Sequence, residues 1–321
     1  MRFTIASDLT QADALVLKNL IRDVNVNSAP EAKSDSILKD DEDDHADGRT
    51  EQELLKLKEE PTVFVAWDLK DISGELRKSI VQPYTTWAQG IVRNPTDVVF
   101  LTHILLYFST SLTSAIILCW HFSWPHGILH SAMQFWYCGS FTLMLHNHIH
   151  NNGVLAKKYA WFDTFWPYVL EPLMGHTWHS YYYHHVKHHH VENNGPEDLS
   201  STVRYQRDEL VDFSIYVGRF IFFIWIELPL YFFRKNRAMY GIKVLFWELS
   251  SYLFIALMAK HNLRATIFVL VIPLVLMRLG LMVGNWGQHA LIDEKQPMSD
   301  LRSSITLIDV PVCDSSFASF L

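Results

Sequence analysis

Apolar positions along the chain gather into long uncharged runs separated by short polar turns. Residues 98–120 (VVFLTHILLYFSTSLTSAIILCW) hold 23 positions without Asp, Glu, Lys or Arg, and 127–145 (GILHSAMQFWYCGSFTLML) hold another 19. Each is about the ~20 residues a helix needs to cross the hydrocarbon core of a bilayer. The turn HFSWPH between them predicts a helical hairpin. A second hairpin is predicted at 242–259 and 265–286, joined by KHNLR. Its Lys243, Glu248 and Arg278 must face protein or snorkel to the headgroups. A fifth apolar stretch, 213–233, is long enough to cross but carries Arg219, Glu227 and Pro229. Near the N-terminus, 8–24 predicts an amphipathic helix with Leu9, Ala12, Leu15, Leu17 and Ile21 on its apolar face, and nothing there reads as a cleavable signal.

Charge sharpens this pattern. Residues 31–60 carry 12 acidic and 5 basic side chains, a balance of −7 that equals the net charge of the whole chain. The acidity is therefore local, and that segment predicts a solvated, disordered linker rather than an acidic domain. The region between the hairpins, 146–240, holds nine Lys and Arg, against none in the turn 121–126 and two in 260–264. The positive-inside bias places the middle region, and the N-terminal segment with it, in the cytosol. Cys119, Cys138 and Cys313 form no CxxC pair and predict packing rather than disulfides.

Chemistry enters with the histidines, ten of whose seventeen fall between 146 and 190. HNHIHNN follows directly on the second span: His146 and His150 stand at i, i+4 and share a helical face, while His148 points the other way. In HHVKHHH, His185, His188 and His189 share a face by the same rule. Asn285 and His289 are again i, i+4, at the end of the last apolar run. Neutral imidazole is the commonest metal ligand, and three such sets at one membrane face can converge on one centre. His184, His176 and His179 are weaker candidates, as is His148; His103 and His130 lie inside spans and predict hydrogen bonds between helices. Glu192, Glu197 and Asp198 follow the HHVKHHH run, either orienting metal-bound imidazoles or forming a plain solvated loop.

In these residues the chain resembles the membrane fatty acid desaturase superfamily, the histidine-box di-iron enzymes of lipid desaturation and hydroxylation. His146–His150 is similar to the family's first box and His185-Val186-Lys187-His188-His189 to its HxxHH box. Asn285 and His289 resemble the extra Asn and His of acyl-CoA desaturases. The resemblance covers roughly 98–310. It implies an all-α, polytopic helical membrane protein with four transmembrane helices in two hairpins, 213–233 lying along the interface or dipping into it. It further implies two irons in the complete site, held by these histidines, and dioxygen-dependent introduction of a double bond into an acyl chain. Electrons would come from a separate haem or iron–sulfur carrier, since no fused His-Pro-Gly-Gly haem motif occurs. The implied partners are a lipid or acyl substrate and the membrane, with no nucleic acid. The implied location is the endoplasmic reticulum in a eukaryote, with plastid or plasma membrane as alternatives.

The chain is thus divided into a polar cytosolic region (1–95), a desaturase-like membrane domain (96–310) and an atypical tail (311–321). The family's third box, HxxHH or QxxHH, has no counterpart, because no histidine follows His289. That leads to the expectation of a truncated C-terminus and of a chain without desaturase activity by itself. Hydroxylation or ketolation by the same centre, a non-catalytic relative, and a divalent-metal transporter are the competing readings.

Overall fold

The computed structural model describes residues 61–290, apart from Ala66 and Asp68, together with Leu17. The expectations for 8–24, 31–60 and 291–321 fall outside these residues. Helices dominate the described chain, and an isolated bridge pairs Val92 with Leu155.

Eight helices position the site. α1 runs on through Gly74–Leu76, a π-turn at Arg77–Val81 and Gln82–Gln89. α2 is Val98–Trp120, α3 is Trp124–Asn151 and α4 is Ala160–Leu173. α5 is built from Ser180–His184, a π-turn at His185–His189, and His190–Glu192. α6 is Leu210–Arg234 and α7 is Ala238–Thr266. A π-turn at Ile267–Val271 leads into α8, Ile272–Gln288.

Three helical runs among the described residues are long and apolar enough to cross a membrane: α2, α6 and the 51-residue run Ala238–Gln288. Their length and composition are those of a membrane protein. α3 has 28 residues, but its histidines, amides and hydroxyls dilute its apolar character. The long run is broken at Asn262, whose φ of −150° and ψ of 93° are not helical. Its side chain explains the break: the amide N–H donates to the Cys119 carbonyl at 3.2 Å, and the amide oxygen accepts the Ala265 N–H at 3.1 Å, capping the following turn. The ends of α2 and α7 therefore meet at one end of this unit.

Polar pairs fasten α2 to α3 along their length. Ser114 bonds His130 (2.9 Å) and His126 (2.8 Å), Gln134 donates to Ser111 (2.5 Å), and Tyr107 meets Ser140 at 2.7 Å. Between apolar helices such bonds supply the specificity that apolar contact with lipid cannot. His103 instead bonds Tyr107 of its own helix at 3.3 Å.

α6 has a distinctive course. Near its start, the Tyr216 hydroxyl donates to the Ser200 carbonyl at 3.3 Å; near its end, Tyr231 donates to Glu192 at 2.5 Å. Both ends are thus tied to the segment 188–202. Its middle meets α8, where Arg278 donates to the Ile221 carbonyl at 2.9 Å.

Candidate metal centre

α3 delivers the first histidines. Its end is fixed by Arg93, whose guanidinium donates to the carbonyls of Asn151 and Asn152 (2.7 Å for the latter) and satisfies groups the helix terminus leaves open. Asn152 (φ 52°) and Gly153 (φ 115°) then turn the chain sharply. A side chain on Gly153 would run into the Asp163 carboxylate, which is occupied accepting the Val154 and Leu155 N–H groups at 3.3 and 3.0 Å. His148 faces this anchor, its Nε2 at 2.9 Å from the Asp163 carbonyl, and takes no part in the histidine cluster. His146 and His150 lie on the other face with ring centroids 4.6 Å apart.

α5 brings the rest. The donor nitrogens of His146, His150 and His185 all lie within 4.8 Å of one another. His190 completes the group, its ring 4.9 Å from that of His150 and 4.4 Å from that of His185. Residues five apart point about 140° from each other on an ordinary α-helix. The π-turn at His185–His189 winds the chain more loosely and brings them to one side. His190 was not a candidate on helical periodicity, because nothing in HHVKHHH announces the π-turn. Tyr181 supports the group, its ring stacked on His185 at 5.1 Å and its hydroxyl 3.4 Å from His146 Nδ1.

A second group forms on the other side of α5. Asp198 is fully buried and accepts from four donors: Asn194 N–H (3.1 Å), Ser200 N–H (2.8 Å), the Ser200 hydroxyl (2.7 Å) and His189 Nδ1 (2.6 Å). Burial pushes its carboxyl up, but the hydrogen bond and charge of His189, with His188 and Ser200, outweigh it and hold the group below the usual carboxylate range. The ionised carboxylate keeps the His189 proton on Nδ1 and leaves Nε2 as a lone-pair donor, the arrangement that orients metal-binding imidazoles. His184 lies parallel to His189 at 6.3 Å, and its buried Nε2 has no hydrogen-bond partner. The His289 ring stands 6.1 Å from that of His189.

The remaining candidates serve the scaffold. His188 is buried and accepts the Leu199 N–H on Nε2 at 3.1 Å, so its proton sits on Nδ1 and the ring does not join the first group. Asn285 donates to the Ser200 carbonyl (2.8 Å) and the Tyr216 hydroxyl (2.7 Å), pinning the Asp198 loop to α8. His179 is held between the rings of Tyr168 and Trp247 at 4.9 and 4.7 Å. His176 packs on Phe141 and Tyr181. Glu192 and Glu197 pair with Lys235 rather than with an imidazole.

Electrostatics favour the neutral form of His146 and His185. Burial, then His150, His190 and His189, push His146 down to about 4, and burial with its histidine neighbours pushes His185 well below its usual range. His146, His150 and His185 bring three imidazoles together as a donor set, and His190 Nε2 lies in hydrogen-bond contact with His185 Nε2 at 3.0 Å. That donor set suits Fe, Zn, Cu or Ni rather than Mg or Ca. No family model, curated protein or solved structure matches the chain.

Proposed function

We propose that the chain is a multi-pass membrane protein whose cytosolic histidine centre binds iron and acts on the acyl chains of lipids, as a desaturase does. The observation that carries this is the convergence of His146, His150 and His185, from two separate helices, at the end of apolar helices. His146, His150 and His185, with His190 beside them, would hold a metal; His184, His189 and His289 stand next to that group. When bound, iron supplies dioxygen-dependent removal of hydrogen from an unactivated carbon chain. This chain's own residues favour the neutral form of His146 and His185, fix the His189 tautomer through Asp198, and exclude water by burying Asp198 and His188.

Four crossings fit the contacts best: α2, α3, and the two arms separated at Asn262. α6 is long enough to cross. Its two ends, however, bond to one segment, 188–202, and a helix traversing the bilayer would leave one end on the far face. We therefore read α6, one unbroken helix, as lying along the membrane interface rather than crossing it. A transporter would need ionisable ligands near the midplane, whereas these histidines sit at helix ends. A separate haem or iron–sulfur carrier would supply electrons.

Metal content of the purified full chain tests the proposal. We expect iron to be retained through purification and lost when His146, His150 and His185 are all replaced by Ala. Full iron content in that triple variant, or none in the native chain, would overturn it.

A further inference from the structure

A cavity lies directly beside the histidines. Its apolar walls come from Phe220, Ile224 and Leu228 of α6 and from Met277 and Leu281 of α8. Tyr181 and His184 line it as well, and Tyr181 stacks on His185, so one side chain separates it from the first histidine group. The cavity measures about 40 Å³. That accommodates a group of a few heavy atoms.

The polar lining is nearly all satisfied from within. Glu248 accepts the Thr177 hydroxyl at 2.6 Å and pairs with Arg278 at 3.2 Å; Arg278 also donates to the Ile221 carbonyl at 2.9 Å and to the Tyr252 hydroxyl at 2.8 Å. Two ring nitrogens are exceptions: His184 Nε2, which belongs to the histidine groups described above, and His176 Nε2. His176 is 6% exposed, lines the cavity, and its buried Nε2 has no hydrogen-bond partner. Burial, with Arg278 nearby, pushes its pKa down to about 3, so the ring is uncharged and suits a neutral partner rather than an ion. An unpaired buried polar atom costs on the order of 1–3 kcal/mol, which a ligand carrying the matching group would recover.

We propose that this cavity receives the reacting stretch of a lipid chain that carries a hydroxyl or amide group close to the carbons presented to the histidines, with His176 Nε2 as that group's hydrogen-bond partner. The site rests on the desaturase-like reading and adds to it a substrate class: chains with an internal polar group are favoured over plain acyl chains. His176 acts on specificity and does not hold metal.

Binding to the full chain in detergent tests this, using monohydroxystearic acids with the hydroxyl at successive carbons and stearic acid as the reference. We expect at least one hydroxy acid to bind roughly tenfold more tightly than stearic acid, the size of one recovered hydrogen bond. His176→Phe should remove that advantage while stearic acid binds as before, and His176→Gln, which keeps a donor and an acceptor, should retain part of it. Equal binding of stearic acid and every hydroxy isomer by the native chain would overturn the proposal without recourse to any variant, as would an advantage that persists in His176→Phe. Iron content measured on the same samples separates the two ideas. A hydroxyl preference in a chain that takes up no iron would sink the iron-binding reading and keep the site, and iron without the preference would sink the site alone.

Discussion

Replacing Asp198 with Asn should weaken metal binding through a side chain that touches no metal. The carboxylate receives four donors, two on each oxygen: the Ser200 N–H and hydroxyl on Oδ1, and Asn194 N–H and His189 Nδ1 on Oδ2. An amide offers one carbonyl oxygen, so two of these bonds are lost whichever way it turns. Hydrogen bonds to a charged group contribute about 1.5–3 kcal/mol each, giving a loss of about 3 kcal/mol or more at this fully buried site. If the amide NH₂ faces His189, the ring can accept from it only by moving its own proton to Nε2, which removes the lone pair a metal needs. Loss of an orienting carboxylate lowers metal affinity by about 10–100-fold. Competition with a chelator of known affinity measures this, with circular dichroism to verify the helical fold. Glu197→Gln is the control, because Glu197 is exposed and pairs with Lys235 instead. A folded Asp198→Asn chain with native metal affinity would refute the role given to Asp198.

Three further outcomes are expected. Burial holds the Glu171 carboxyl up at about 8, against a weaker pull downward from the His179 N–H; the folded chain keeps a proton that the unfolded chain loses, so stability should fall as pH rises from about 4.5 to 8 and level off beyond. Glu171→Gln should flatten that slope by up to about 1.4 kcal/mol per pH unit in detergent melts, and an unchanged slope would contradict it. Glycosylation acceptors inserted at Ser123 should be modified in a microsomal assay and ones at Lys158 should not; modification at Lys158 would place the histidines on the wrong face. Deletion of Lys187 should preserve metal binding, while insertion of one Ala after Val186 should abolish it, and equal binding by both would mean the helical register of α5 is irrelevant.

Much of this arrangement is legible in the sequence because local rules govern it. HFSWPH between two uncharged runs marks a turn, and i, i+4 spacing puts His146 with His150 and turns His148 away. The hairpin break is legible as KHNLR, though its particular agent, the Asn262 amide bridging to Cys119, depends on a contact 143 residues away in sequence. α6 is ambiguous by hydropathy, since Arg219 and Glu227 satisfy each other at 2.9 Å and leave an apolar helix. Asp198 is indistinguishable from its acidic neighbours until the left-handed turns at Asn193 and Asn194 fold it beneath His189. Each of the last three depends on tertiary closure, which periodicity does not encode.

The assignment of histidines within α5 shows most directly how one unforeseen local feature redistributes chemistry. Straight helical counting groups His185 with His188 and His189, and the His185 and His189 rings do stack at 5.6 Å. The π-turn adds two i, i+5 pairs: His185 with His190 at 4.4 Å, and His184 with His189 at 6.3 Å with rings only 7° from parallel. Neighbouring residues on a helix point about 100° apart, so the pairs lean toward different partners while His189 still touches both His185 and His190. One side meets the histidines of α3, and the other meets Asp198 and His289. A short helix with five histidines thus feeds two adjacent groups at once. It also explains why removing one residue from the π-turn should be tolerated: each i, i+5 pair becomes i, i+4, which an ordinary α-helix already places on one face. An added residue makes the pairs i, i+6, which neither an ordinary turn (about 120° apart) nor the i, i+5 spacing of the π-turn brings to one side.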